Sequence, residues 1–239
     1  MPRPFDHWTV LPHGPLASVA DNIRTVVGTI HMPLMDLPRR MTVVRTAGRR
    51  LIVFSAIALR EDEMATLESF GTFAYLIVPS DKHRLDARVW KDRYPTLTVV
   101  APRGAREKVE QVVPVDTTEP RFDDPNVEFT EVGGTREREA ALVVRTPTGT
   151  TLVLNDVIGN IHDGKGVGGW LLQAAGFAGE SAQVPRVVKS MVVDDEKALR
   201  AQLLEWAAIE SLERILVSHG APIEGDVRQI LRDVAGTLH

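Results

Sequence analysis

The sequence of 239 residues contains no cysteine, and this absence is the first constraint on its chemistry. Disulfide bonds, zinc sites built from thiolates and thiol nucleophiles are therefore all excluded. The sequence also lacks an apolar run of about eighteen residues, the length that is needed to span a bilayer. The first residues, Met1 to His7, contain no apolar signal-peptide core. We therefore expect a cytoplasmic protein that has no membrane partner.

Charge of one sign is not in excess either. The chain has 28 Lys and Arg against 32 Asp and Glu, a net charge of −4 with both signs dispersed. No basic block marks an anionic partner, so we expect no binding to nucleic acid. The hydrophobic content of 44% is ordinary for a globular protein, and the length allows a substantial core. A small-molecule ligand or substrate is the expected partner, and a homo-oligomer is left open.

Hydrophobic periodicity predicts an α/β protein in which hairpins are followed by helices and buried strands. Prolines and glycines predict an irregular segment over residues 1–20, continuing to residue 40 around a short strand near Asn22 to Ile30. The remaining pattern predicts hairpins over 41–56 and 140–157, strands over 73–78, 97–101, 126–132 and 214–218, and helices over 60–70, 85–94, 104–112, 170–177, 195–212 and 225–238.

Polar side chains follow three of the predicted strands at the point where each strand ends. His83 and Asp86 come shortly after the apolar strand 73–78, which Pro79 ends. Asp156 closes a second strand and His219 a third. Ligands usually bind beyond the carboxyl ends of strands in α/β sheets, and converging His and carboxylate groups suit Zn²⁺ or Fe. A metal held there would polarise an ester or amide carbonyl and activate a water.

Simpler roles stay open for each of these four residues. A single histidine after a strand is more often a surface or capping residue than a ligand. For Asp156 and His219, which both end apolar strands, the metal and structural interpretations are evenly balanced.

A glycine-rich stretch, Gly164 to Gly169, matches G-x-G-x-x-G and precedes a predicted helix. In a dinucleotide fold the first glycine follows its strand at once, whereas several residues intervene here after Asp156. Nucleotide binding is therefore the weaker hypothesis. A loop that covers the site, or a tight turn whose amides face an anion, is favoured. His162 and Asp163 would then approach the site from above, although such residues are more often only solvated members of a loop.

Other chemistry is not supported by the sequence. Ser55 and Ser80 lack the G-x-S-x-G context of a nucleophile elbow. The alternating charges from Arg136 to Glu139 are typical of a solvated strand entrance. Three histidines of the proline-rich N-terminal segment are expected in solvent: His7, His13 and His31.

The element order and three local motifs resemble the metallo-β-lactamase fold. Those motifs, Ala74 to Pro79, Trp90 to Pro95 and Val99 to Gly104, are most similar to an uncharacterised bacterial branch, the DUF4336 type. The resemblance implies one domain over residues 1–239, folded as a four-layer αββα sandwich.

The superfamily signature, His-x-His-x-Asp-His, is not kept when it is laid on Ser80 to Leu85. Only when the alignment is shifted do His83 and Asp86 replace ligands of the signature. The further histidine that the superfamily has before the aspartate strand is missing, since no histidine occurs between His83 and His162. Asp156 matches the bridging aspartate of the superfamily, and His219 matches its final histidine ligand.

The resemblance therefore implies a degenerate site with at most one Zn, Fe or Mn ion, held by His83, Asp156 and His219, or with no metal. The expected activity is hydrolysis of an ester, lactone or phosphoester, with Lys82 or Arg84 stabilising developing negative charge. The competing interpretation is a non-catalytic descendant that has lost the metal and binds a ligand or assembles with itself.

Overall fold

The computed structural model describes residues 3–32, 35–161, 176, 179 and 182–239. Two sheets form its centre. The first has the strand order β1-β2-β3-β4-β5-β6. The pairs from β1 to β4 are antiparallel, whereas β4, β5 and β6 run parallel to one another. The strands are β1 (Ala17–Ala20), β2 (Ile23–Met32), β3 (Met35–Arg45), β4 (Arg50–Phe54), β5 (Thr72–Ile77) and β6 (Thr98–Val100).

The second sheet has the order β11-β10-β9-β8-β7. Its strands are β7 (Val127–Glu131), β8 (Ala140–Thr146), β9 (Gly149–Leu154), β10 (Leu212–Val217) and β11 (Ile223–Glu224). Strands β9 and β10 are parallel, with Leu154 opposite Val217, so both strands end at the same edge of the sheet. This pairing places the residues after β9 beside the residues after β10.

Helices cover the outer face of each sheet. They are α1 (Glu61–Phe70), α2 (Ala87–Arg93), α3 (Arg106–Glu110), α4 (Arg186–Met191), α5 (Glu196–Ala207) and α6 (Val227–Gly236). The Asp195 side chain caps α5 by accepting a hydrogen bond from the Ala198 amide, as a residue at this position should. Among the described residues, no helix is long and apolar enough to cross a membrane.

The core lies in three layers, because alternate side chains of each strand point to opposite faces. In β4, Ile52 packs between the two sheets, whereas Leu51 and Val53 pack under the first set of helices. In β9, Val153 faces the other sheet, and Leu152 contributes to the core under α5 and α6. The predicted α/β class and αββα layering are therefore confirmed.

Both predicted hairpins are present, with Arg45 opposite Leu51 and Thr146 opposite Gly149. The short strand predicted near Asn22 to Ile30 is present as β2, but the prediction that the chain around it is irregular up to residue 40 was wrong from Ala17 onward. Strands β2 and β3 form a long ribbon in which Thr29 lies opposite Pro38. Strand β4 pairs with β3 only from Thr42 to Arg45, so at Pro38 the edge of β3 that faces away from β2 has no neighbouring strand. Proline, which has no amide hydrogen to donate, is tolerated at such an edge.

Other boundaries shifted or were missed. Helix α5 ends at Ala207, five residues before its predicted end, because strand β10 begins at Leu212. Strands β1 and β11 and helix α4 were not predicted. The glycine-rich stretch Gly164 to Gly169, the helix predicted over 170–177, and residues His162 and Asp163 lie outside the described residues.

Candidate metal centre

Three of the four predicted ligands meet where strands β5, β9 and β10 end. Nε2 of His83 lies 2.9 Å from Oδ1 of Asp156, and Nε2 of His219 lies 3.0 Å from the same oxygen. One ligand atom from each residue falls within 4.8 Å of the other two. All three side chains are nearly buried, at 8%, 9% and 4% exposure for His83, Asp156 and His219. Within the described part of the chain they form the one such group.

His219 is oriented from its far side by the first sheet. Its Nδ1 lies 2.6 Å from the carbonyl oxygen of Pro38 in β3. Because a carbonyl only accepts, Nδ1 carries a proton, and Nε2 is the atom directed at Asp156. The buried Arg40 guanidinium donates to the carbonyl oxygens of Val217 (3.0 Å) and Gly220 (2.9 Å), which flank this histidine.

The turn after His219 requires glycine. Gly220 adopts a φ of 115°, and a Cβ there would lie 2.0 Å from the carbonyl oxygen of Asn160. The backbone of Asn160 donates to the His219 carbonyl at 3.0 Å. The Ser-His-Gly sequence therefore has a geometric reason: only glycine lets the loop come this close to its neighbour.

His83 is oriented by Ser55, which was set aside as a nucleophile because its sequence context is wrong. The Oγ of Ser55 lies 2.9 Å from Nδ1 of His83, with Asp156 on the Nε2 side. Ser55 has a left-handed φ of 57° and is 5% exposed. It contacts the nitrogen that faces away from Asp156, so it acts as a buried partner that fixes the imidazole ring.

The electrostatics of the group favour a charged carboxylate. Burial alone would raise the pKa of Asp156, but the charges and hydrogen bonds of His83 and His219 hold it well below its usual range. Burial acts to lower the pKa of His219, yet the hydrogen bond and charge of Asp156 raise it overall. The Asp156 carboxylate and the His219 imidazole therefore stabilise each other's charged forms.

Asp86, the fourth predicted ligand, is placed elsewhere. Its buried carboxylate forms an ion pair with Arg39 and accepts a hydrogen bond from the Ala58 amide at 3.0 Å. Burial raises the pKa of Asp86 in spite of the arginine. These contacts give Asp86 a structural role that joins β3, the loop after β4 and the start of α2.

The two predicted catalytic cations are also directed away from the group. Lys82 lies 3.8 Å from the Asp81 carboxylate, and Arg84 donates to the Lys108 carbonyl oxygen and to Gln111 at the end of α3. The structure therefore does not bring Lys82 or Arg84 together with the three converging ligands.

Asp81 is the centre of a separate ion cluster. Arg138 donates to it at 2.6 Å and Lys108 at 3.1 Å. Burial alone would raise the pKa of Asp81, but these two cations and Lys82 lower it overall. The cluster ties the loop after β5 to α3 and to the turn before β8.

The prediction that residues 136–139 are a solvated strand entrance was wrong at its last position. Glu139 is 1% exposed, and its Oε2 accepts hydrogen bonds from the Asn155 side chain (2.8 Å) and the Asp156 amide (3.2 Å). Burial and the neighbouring Asp156 charge raise the pKa of Glu139. The one sequence signal that could have found it is its position directly before the apolar run of β8.

The solvent position predicted for His13 was also wrong, whereas His31 is exposed as predicted. The His13 side chain is 1% exposed and lies 3.4 Å from the carboxylate of Glu63 in α1.

The donor set fits a divalent metal. Two imidazole nitrogens and one carboxylate oxygen are the three protein ligands common in catalytic zinc sites, which keep a fourth position for water or substrate. Each imidazole also has a hydrogen-bond partner on its other nitrogen, as metal-binding histidines usually have. That these residues bind a metal stays a prediction.

Solved structures show which fold this is. The chain is similar to a metallo-β-lactamase from Erythrobacter litoralis (TM-score 0.65, 11% identity, 93% of this chain and 96% of the other). It is also similar to FIM-1 from Pseudomonas aeruginosa in its mono-zinc form (0.62, 11%, 95% and 96%) and to the metallo-β-lactamase DIM-1 (0.64, 12%, 96% and 99%). No protein-family model and no curated protein sequence matches the chain. With TM-scores of 0.62 to 0.65 over at least 93% of each chain, the chain has the metallo-β-lactamase fold.

Proposed function

We propose that the protein is a hydrolase-like metalloprotein that holds one metal ion, with His83, Asp156 and His219 as its ligands. The observation that supports this best is the convergence of these three ligand atoms within 4.8 Å in a nearly buried position. Zinc, iron and manganese are the candidate ions, and an ester, lactone or phosphoester is the substrate class. The proposal places the chain with the DUF4336-type branch and treats its strand-end motif as degenerate.

The chain's own residues would hold and orient the ion. Ser55 and the Pro38 carbonyl fix the two imidazole rings, so both Nε2 atoms face the Asp156 carboxylate. When bound, a divalent metal supplies Lewis-acid polarisation of a carbonyl or phosphoryl oxygen and activates a water. Lys82 and Arg84 receive no role in this scheme, because their cations contact Asp81 and the end of α3.

One observation favours a second candidate, a metal-free protein that binds a ligand or forms an oligomer. Asp156 already contacts both histidines at 2.9 and 3.0 Å, so its buried carboxylate has hydrogen-bond partners without an ion.

Metal content decides between the two. We expect about one zinc, iron or manganese ion per chain after reconstitution with each ion and desalting. The His219→Ala and Asp156→Ala variants should lose it. His31→Ala, which removes an exposed histidine paired with Asp36, is the control that should retain it. A folded wild-type protein that retains none of the three ions would contradict the proposal and favour the metal-free candidate.

A further inference from the structure

A buried polar cluster lies directly beneath the candidate metal centre and takes no part in the scheme above. It consists of Ser80, Glu139, Asn155 and Ser218, each 3% exposed or less. Buried polar groups cost stability unless they are hydrogen-bonded, so a cluster of four needs a reason.

Asn155 is the centre of this cluster. Its amide nitrogen donates to Oε2 of Glu139 at 2.8 Å and to Oγ of Ser80 at 3.2 Å. Its amide oxygen accepts a hydrogen bond from Oγ of Ser218 at 3.0 Å. Both amide hydrogens and the oxygen are therefore used, and each partner belongs to a different segment of the chain.

Each of these segments is connected to one of the three ligands. Ser218 immediately precedes His219, and Ser80 begins the turn that carries His83. Asn155 immediately precedes Asp156, and its partner Glu139 also accepts from the Asp156 amide at 3.2 Å. One side-chain amide thus spans the bases of all three ligand-bearing loops.

The strand ladders do not account for this connection. The ladder between β9 and β10 stops at the pair of Leu154 and Val217, one residue before the cluster on each strand. Strand β5 belongs to the other sheet, so no ladder links the His83 loop to the other two. Beyond the strand ends, backbone hydrogen bonds join these segments in pairs: from Ser218 to Leu154 at 3.1 Å, from Asn160 to His219 at 3.0 Å and from Ala140 to Pro79 at 2.9 Å. The Asn155 side chain adds contacts from its own loop to both other loops at once.

We propose that Asn155 is a positioning residue that sets the distances among the three ligand-bearing loops, so that their ligand atoms converge on one ion. The inference rests on the proposed function, because it assigns Asn155 a role in metal affinity. Partners of metal ligands in other proteins typically change metal affinity by about 10- to 100-fold when they are removed. We expect a loss in that range for Asn155→Ala.

The test is a competition titration of metal-free protein against a chelating dye with zinc, iron or manganese, whichever ion the wild type retains. Thr150→Ala is the matched control. Thr150 lies near the start of β9, the strand that Asn155 follows, and is 1% exposed. The substitution removes its part-buried 2.8 Å hydrogen bond to Ser211. It should lower the unfolding temperature of the metal-free protein but leave the metal Kd unchanged.

Ser218→Ala, which removes one of the three hydrogen bonds of the amide, should give a several-fold loss and is the variant to use where Asn155→Ala does not fold. Rescue gives a further readout. In Asn155→Asp with Glu139→Gln, the glutamine can donate to the new carboxylate, so the pair should bind more tightly than Asn155→Asp alone.

The inference is overturned if folded Asn155→Ala and Ser218→Ala bind the ion as tightly as wild type does, or if Thr150→Ala loses as much affinity as Asn155→Ala. A wild type that binds no ion overturns the proposed function itself, and the role of Asn155 with it. Failure of the inference alone therefore looks different: the wild type binds one ion and the variants bind it equally well.

Discussion

The imidazole of His219 is held by a strand that lies far earlier in the chain, since its Nδ1 donates a 2.6 Å hydrogen bond to the Pro38 carbonyl oxygen across 181 positions of sequence. Pro38 lies in the part of β3 that extends beyond β4, so the ribbon of β2 and β3 reaches over to the second sheet. Residues of both sheets therefore form the site. We expect an ion bound there to increase the stability of the folded protein.

Removing the metal should therefore destabilise the wild-type protein. An ion at about 100 times its Kd adds about 2.7 kcal/mol, which raises the unfolding temperature of a chain of this size by roughly 5–10 °C. A chelator should abolish this increment in wild type and have no effect on His219→Ala. Differential scanning calorimetry with and without chelator measures it. An equal shift in both proteins would place the ion elsewhere.

Asp86→Asn should destabilise the protein without changing its metal content. The substitution breaks a buried ion pair with Arg39, a change that typically costs about 3–5 kcal/mol. Urea unfolding measures the loss, and elemental analysis should still find the ion of wild type. Asp92→Asn, which changes an exposed residue in the next helix, should leave both unchanged. Loss of metal from a folded Asp86→Asn protein would restore Asp86 as a ligand.

Asp81→Asn should lower stability in a pH-dependent way. The pKa of Asp81 is depressed in the folded state: burial opposes this, and hydrogen bonds from Arg138 and Lys108 outweigh it. A depressed carboxyl pKa gives stability that is complete above the unfolded pKa of about 3.9 and is lost as pH falls through the folded pKa. We expect a deficit of about 2 kcal/mol at neutral pH.

That deficit should begin to shrink as the pH falls below about 4, because the carboxyl of the unfolded wild-type chain then takes up a proton, and it should vanish only below the depressed folded pKa. Urea unfolding from pH 7 to pH 3 follows it, with the exposed Asp21→Asn as a comparison. A deficit that is unchanged at pH 3 would show that the ion cluster is not its cause.

The sequence singled out the three candidate ligands that converge because each follows an apolar strand, which is a local pattern. Parallel strands bring their carboxyl ends to one edge, so His219 could be expected beside Asp156. The partners of those ligands were missed because they depend on tertiary contacts. Ser55 contacts His83 although the two residues are 28 positions apart in the sequence. Glu139 belongs to a charged run that is typical of a surface, yet it is buried where β8 begins.

The fold was predictable to a similar degree. Hairpins with turn residues and strands of continuous apolar character were found, whereas β1 and β3 were obscured by prolines. Pro38 is compatible with a strand because β4 does not extend alongside that part of β3. The local sequence around Pro38 contains no signal of this missing neighbour. Asp86 lies apart from the three converging residues for the opposite reason: it has the right residue type near a strand end, but it forms an ion pair with Arg39 from another strand.

Ser55 has two features that substitutions can separate: a left-handed backbone conformation and a hydroxyl that contacts His83. A non-glycine residue with a φ of 57° carries about 1–2 kcal/mol of strain, which glycine avoids. Both Ser55→Gly and Ser55→Ala remove the hydroxyl that contacts His83. The metal-free Ser55→Gly protein should therefore be more stable than Ser55→Ala by about 1 kcal/mol.

Both substitutions should weaken metal binding by the same factor, about 10-fold or more, because the ring of His83 loses the same partner in each. Ser55→Thr, which keeps a hydroxyl but places a β-branched side chain in the left-handed region, should be less stable than wild type and bind metal better than Ser55→Ala. Urea unfolding and chelator competition on the same preparations give the two quantities. If affinity followed stability across the three variants, Ser55 would matter for the backbone turn alone and the orientation of His83 would have another source.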